Sequence, residues 1–195
     1  GKGAVHMAGK PTDRRIQRTY KILHAALVEL ILEKGYDKVT VQDVIDRANV
    51  GRSTFYSHFK DLEDLFLRGF DNLWSQFEAH FSEQAPQTMD IWDVSLVVFQ
   101  HAQNYTAVYR AVVGKQGGRL MSAHMHKYLS LLMRNVLKPH WEAHKPVPLD
   151  IVVHHLASSL IACVTWWVDH DLQYPPERMN EIYRLLTQPA IQAIS

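Results

Sequence analysis

Apolar positions recur at three- and four-residue steps along most of the chain, and no two-residue alternation persists, so the pattern predicts an all-α protein. From Thr12 to Lys34, the residues Ile16, Tyr20, Leu23, Leu27 and Leu30/Ile31 form one apolar stripe. Gly35 sits where a helix C-terminal cap belongs. Thr40-Val41-Gln42-Asp43 places a hydroxyl at an N-cap with an acid three residues on. It opens a short helix, about 41–48, that should bury Val44, Ile45 and Ala48. Asn49-Val50-Gly51 is a tight turn containing two residues that tolerate left-handed backbone. A second short helix, about 52–58, follows.

The remainder reads as a helical body. A long helix begins near Asp61-Leu62-Glu63 and runs to about Glu83, with Leu65, Phe66, Phe70, Leu73, Phe77 and Phe81 inside and Ala85-Pro86-Gln87-Thr88 ending it. Helices of about 90–103 and 105–113 lead to a glycine-rich junction, Gly114 to Gly118. A helix of about 119–143 precedes Lys145-Pro146-Val147-Pro148, and a largely apolar one covers about 149–170. Tyr174-Pro175-Pro176 stops and restarts the chain, with Pro176 suited to the first position of a last helix, about 176–187. The expected organisation is a short helical head over 12–60 and a larger helical body over 61–195. Residues 1–11 are set aside as a disordered N-terminus, in which Gly1 to Met7 reads as a tag remnant with the natural start at Met7.

At 195 residues and 47% hydrophobic, the chain can bury a sizeable core. Its one cysteine, Cys163, rules out an internal disulfide and suits a reducing cytoplasm. No apolar run reads as approaching the roughly 18 residues of a membrane span. Net charge is only +1, but residues 10–60 hold ten Lys/Arg against six Asp/Glu, whereas residues 61–195 hold ten against fourteen. A basic head on an acidic body suits a polyanion at one end.

The informative chemistry lies between Thr40 and Lys60. Two short helices joined by a tight turn and braced by a longer one match a helix-turn-helix, whose second helix enters the major groove. On that helix Phe55 and Phe59 are four apart and should pack on Val44, Ile45 and Leu27. The opposite face shows Arg52, Ser53, Thr54, Tyr56, Ser57 and His58, a set that base edges and phosphates accept. No acid occurs between Arg47 and Lys60.

Over Ile22 to Leu67 the sequence resembles the TetR family of bacterial regulators, through Glu33-Lys34-Gly35-Tyr36, Val39-Thr40-Val41-Gln42-Asp43-Val44 and Ala48-Asn49-Val50-Gly51-Arg52-Ser53-Thr54-Phe55-Tyr56-Ser57-His58-Phe59-Lys60. The resemblance implies a homodimer with a three-helix DNA-binding domain and a C-terminal helical domain that binds a small molecule. By position it makes Thr40 a phosphate-contacting hydroxyl and Tyr56 a phosphate-binding tyrosine. Arg52, Ser53, Thr54, Ser57 and His58 become base- or backbone-reading residues, and Lys60 a phosphate contact. Asn49 replaces the family's common turn glycine. Leu62 stands where many members carry a phosphate-contacting lysine, with Lys60 as the substitute. Val108 to Gly118 and Trp166 to Asp171 resemble a subset of the family.

Twelve histidines raise the question of a metal, but neither a cysteine pair nor an HExxH motif accompanies them; only His140 and His144 could share a helix face, and no metal is expected. Gly114 to Gly118 lacks the P-loop pattern, and no cofactor is expected. Cys163 reads as inert core. An unidentified small-molecule effector would meet aromatic walls and a few polar groups, for which Phe99, Tyr109, Arg110, Arg119, Tyr128 and Trp166 are the candidates. The apolar content of 149–170, with Trp167, exceeds one buried face, so this helix and 176–187 are expected to form a four-helix dimer interface on a palindromic operator. From the residues alone a ligand-binding or scaffold protein without operator binding stays open. An enzyme would need a nucleophile-base pair or paired carboxylates, which the spacing lacks.

Overall fold

The computed structural model describes residues 11–83, 90–115, 117–141 and 145–194, and those residues are helical throughout apart from turns. In chain order the helices are α1 (Pro11–Lys34), α2 (Val41–Ala48), α3 (Arg52–His58), α4 (Leu62–Glu83), α5 (Ile91–Asn104), α6 (Thr106–Val113), α7 (Gly118–Leu137), α8 (Leu149–Asp169) and α9 (Pro176–Ala193). The expected elements are present, and the differences have local causes. Pro139 ends α7 at Leu137, six residues short of expectation, and a 3₁₀ turn over Lys138–His140 follows. In contrast, α9 runs on to Ala193 with Pro189 inside it, near an exposed helix end. A 3₁₀ turn over Tyr36–Lys38 fills the gap before α2. The break expected at 85–88 and the side chains of Phe70, Leu73, Phe77 and Phe81 lie outside the described residues, as does His144.

The head is built around α1, which packs on α2, α4 and α6. Its stripe delivers Leu23, Leu27, Leu30 and Ile31 to the core, where they join Val44 and Ile45 of α2, Phe55 of α3, Phe59, and Leu65 and Phe66 of α4. At the start of α2 the Thr40 hydroxyl accepts from the Asp43 N–H at 3.1 Å, and the Asp43 carboxylate accepts from the Thr40 N–H at 2.9 Å. Lys34, at the end of α1, donates to the same carboxylate at 2.7 Å and so joins the two helices. The Lys34 hydrogen bond, then those with Thr40, lower the Asp43 carboxyl to about 2. Asn49 takes the left-handed conformation that turns the chain from α2 to α3, with φ 51°. Gly51 does not need it, with φ −69°.

In the body, α8 lies against α5, α6, α7 and α9. It buries Val152, Val153, Leu156, Leu160, Val164, Trp167 and Val168. Contrary to the sequence reading, α8 is long and apolar enough, by length and composition, to cross a membrane. Residue counting missed this because Asp150, His154 and His155 interrupt the run without lowering its average much. Its neighbours and buried face are those of a core helix. At the junction before α7, Gly117 is required: a Cβ there would stand 2.3 Å from the Val112 carbonyl oxygen.

Two outcomes test this head. Phe55→Ala empties the centre of the α1–α2–α3 contact and is expected to cost about 3–5 kcal/mol in urea unfolding. For Asp43, the lowered carboxyl stabilises the fold above the unfolded-state value near 4 and loses that contribution as pH falls toward about 2. The urea midpoint of Asp43→Asn should therefore lie below that of the wild type at pH 6, and the gap should close across that window.

Candidate nucleic-acid interface

A seven-residue helix has no stability of its own, since nucleating the first turn is costly. α3 is held instead by its apolar edge. Phe55 and Phe59 are both buried, with ring centroids 5.6 Å apart, and Tyr20 of α1 closes on Phe59 at 6.2 Å. Burying that edge turns the polar edge outward. Arg52, Ser53, Thr54, Tyr56, Ser57 and Lys60 are exposed, as is Thr40 at the neighbouring start of α2. Seven of the eight residues expected at DNA thus share access to solvent. The eighth, His58, is half-buried and lines a cleft with Ile16, Gln17, Tyr20, Phe59, Arg68 and Asp71.

The exposed groups differ in how far they are already committed. The Thr40 hydroxyl accepts a bond within its cap and keeps its own proton to donate. Ser57 donates to the Thr54 carbonyl at 2.7 Å and keeps lone pairs to accept. The Arg52 guanidinium donates to the Gln42 side chain and stands 6.0 Å from the Tyr56 ring centre. Gln42 in turn donates to Asp46 at 2.7 Å. Gln42 was missed from sequence; its position on the exposed side of α2, two residues after the cap, was the available signal. Arg47 is paired with Glu33, at 2.5 Å and 2.7 Å through its two terminal nitrogens, which raises the guanidinium and lowers the carboxyl. That leaves Arg52 and Lys60 as the outward cations of this stretch. The Lys60 backbone N–H donates to Asp64 at 2.9 Å, while its side chain faces solvent.

The residues considered for a small-molecule site lie in different settings. Phe99 is fully buried edge-to-face on Trp167, with centroids 5.6 Å apart. Tyr109 is buried with its hydroxyl 3.2 Å from His101 Nδ1, and burial lowers that histidine to about 4. Arg110 donates to the Val168 carbonyl at 3.3 Å and reaches Asp171 at 3.2 Å, fastening α6 to the end of α8. Tyr128 donates to Asp71 at 2.7 Å, joining α7 to α4; burial, then Asp71, push its phenol up to about 12. Arg119 is exposed, and Trp166 is exposed with its ring stacked on His170. Phe99 and Trp166 therefore occupy opposite environments, core and surface, and do not form one wall. Among the described residues no group of three or more His, Cys, Asp or Glu is arranged to hold a metal ion. Cys163 is half-buried, and burial raises its thiol.

A model of bacterial regulatory proteins of the TetR family matches residues 22–68, and a model of a transcriptional regulator C-terminal region matches residues 90–188. The HTH-type transcriptional regulator YxbF of Bacillus subtilis is 22% identical over 173 residues, which are 86% of this chain and 44% of YxbF. Four further curated relatives are likewise matched over less than half of their length. A TetR transcriptional regulator from Streptococcus agalactiae superposes with a TM-score of 0.66 at 26% identity, covering 90% of this chain and 97% of that one. NalD, the secondary repressor of the MexAB-OprM multidrug efflux pump in Pseudomonas aeruginosa, shares the fold with a TM-score of 0.67 at 15% identity, covering 90% and 96%. With both its N-terminal head and its C-terminal half matched, the chain belongs to the TetR family of bacterial regulatory proteins, which are DNA-binding transcriptional regulators and not enzymes.

Proposed function

We propose that this protein is a homodimeric, cytoplasmic repressor that binds a palindromic DNA operator and is released from it by a small-molecule effector. The observation that carries the DNA reading is the outward set on α3 and its flanks, an acid-free edge presented by a buried Phe55–Phe59 anchor. Arg52 is the base-reading candidate, because Gln42 and Tyr56 hold a fork suited to guanine at the surface. Thr40, Tyr56 and Lys60 are the phosphate-contact candidates, and Ser53, Thr54 and Ser57 complete the reading edge. His58 serves the cleft beside α1 more than the groove. NalD, which shares the fold, is a repressor, and that supports the direction of regulation.

Pairing is supported by the surface of α8 and α9. Ile151 is 58% exposed, Trp166 44%, Leu185 63% and Leu186 69%. Large apolar groups in that number on two adjacent helices call for a partner, and a second copy satisfies the need for two half-sites about 34–36 Å apart. Trp166 takes the place the sequence reading gave to Trp167, which is spent on the protomer's own core. Domain limits of 12–60 and 61–195 fit this division of labour. The effector would act by preferring a body conformation that misplaces the heads, with α4 and its Tyr128–Asp71 bond as the link and coupling of about 1–3 kcal/mol.

Three outcomes follow. Selection of bound genomic fragments should return a palindromic site, on which Arg52→Ala costs about 1–3 kcal/mol and relaxes base preference. Equal losses on operator and random duplex would contradict its base-reading role. Lys60→Ala should weaken both duplexes alike and flatten the salt dependence by about one phosphate contact. In sedimentation at micromolar concentration the wild type should run as a dimer and a Leu185→Asp/Leu186→Asp variant as a monomer; a monomeric wild type refutes the pairing.

A further inference from the structure

The first turns of α1 carry a row of cations that the helix-turn-helix reading leaves unused. Arg14, Arg18 and Lys21 are spaced by four and three residues, so they share one helix face, and all three are exposed. Together with Gln17 and Ile22 they line a shallow surface cleft. Among the described residues none of the three forms an ion pair with an acid. Their placement runs against helix physics. Arg14 and Arg18 repel each other at four-residue spacing, and Lys21 adds a third like charge to the same face. Local structure therefore does not explain the row, whereas an external polyanion would.

Its position says which polyanion. Gln17 lines both this cleft and the neighbouring one that contains His58 and Phe59. Tyr20, one residue before Lys21, packs against Phe59. Through Gln17 the row thus borders the cleft that holds the C-terminal end of α3.

We infer that Arg14, Arg18 and Lys21 form a second phosphate-binding surface, which grips the duplex backbone beside the groove occupied by α3. The inference rests on the DNA-binding reading above and adds to it a sequence-independent clamp. The three side chains would each meet phosphate as point or forked cations, fixing how the head sits on the duplex without reading bases. Each contact releases counterions, so the clamp contributes to affinity mainly at low salt.

The test measures affinity against salt concentration by fluorescence anisotropy, on a genomically selected fragment and on a random-sequence duplex. The full chain is compared with Arg14→Gln/Arg18→Gln/Lys21→Gln and with a control of equal charge loss on the body, Lys127→Gln/Lys138→Gln/Lys145→Gln. The clamp predicts that the α1 variant loses affinity equally on both duplexes and that its log–log salt slope falls by about 2–3, at about 0.9 per phosphate. Its melting temperature should stay the same or rise, because repulsion has been removed, and the body control should keep the wild-type slope. An unchanged slope in the α1 variant overturns the clamp while leaving the α3 reading intact, and an equal fall in the body control also overturns it. A wild type that binds no duplex at low salt overturns both.

Discussion

Everything the head does depends on the burial of two phenyl rings. α3 is too short to persist alone, so its existence and its orientation both come from Phe55 and Phe59 being driven out of water against α1 and α2. Because these rings lie on one side of the helix, their burial fixes which side is left for a partner. Arg52, Ser53, Thr54, Tyr56 and Ser57 are outward as a consequence of that choice. The core thus determines which polar edge faces outward.

The same economy links the head to the body. α1 supplies the wall on which α2 and α3 sit, and its other contacts are with α4 and α6. At the crossing with α4 the approach is close: a Cβ on Gly69 would stand 2.3 Å from His24 Nε2. A close-packed crossing transmits displacement instead of absorbing it. The Tyr128–Asp71 hydrogen bond adds a polar tie from α7 to the same helix. Packed helices therefore join the body to the head, a geometry suited to the population shift by which an effector would regulate DNA binding.

The body shows the limit of reading residues by type. Aromatic side chains serve core, surface stack and interhelical tie alike, and only the neighbours decide among them. Phe99 and Trp167 fill the space between α5 and α8, while Trp166, one residue from Trp167, stacks on His170 at the surface. Arg110, equally plausible as a ligand group by its chemistry, is a clamp on the end of α8.

The chain's own pattern determined the number and order of the helices, the capping box at Thr40 and Asp43, the left-handed turn at Asn49 and the polarity of α3. Each of these is a local property, set by periodicity within a few turns or by the backbone preference of one residue. Tertiary structure alone decided the partnerships between distant residues. It placed Gln42 against Arg52, turned His58 toward α1, committed Arg47 to Glu33, and brought the basic row of α1 beside the end of α3. Those facts depend on how helices cross, and crossing geometry is a property of packed surfaces that no single stretch of sequence contains.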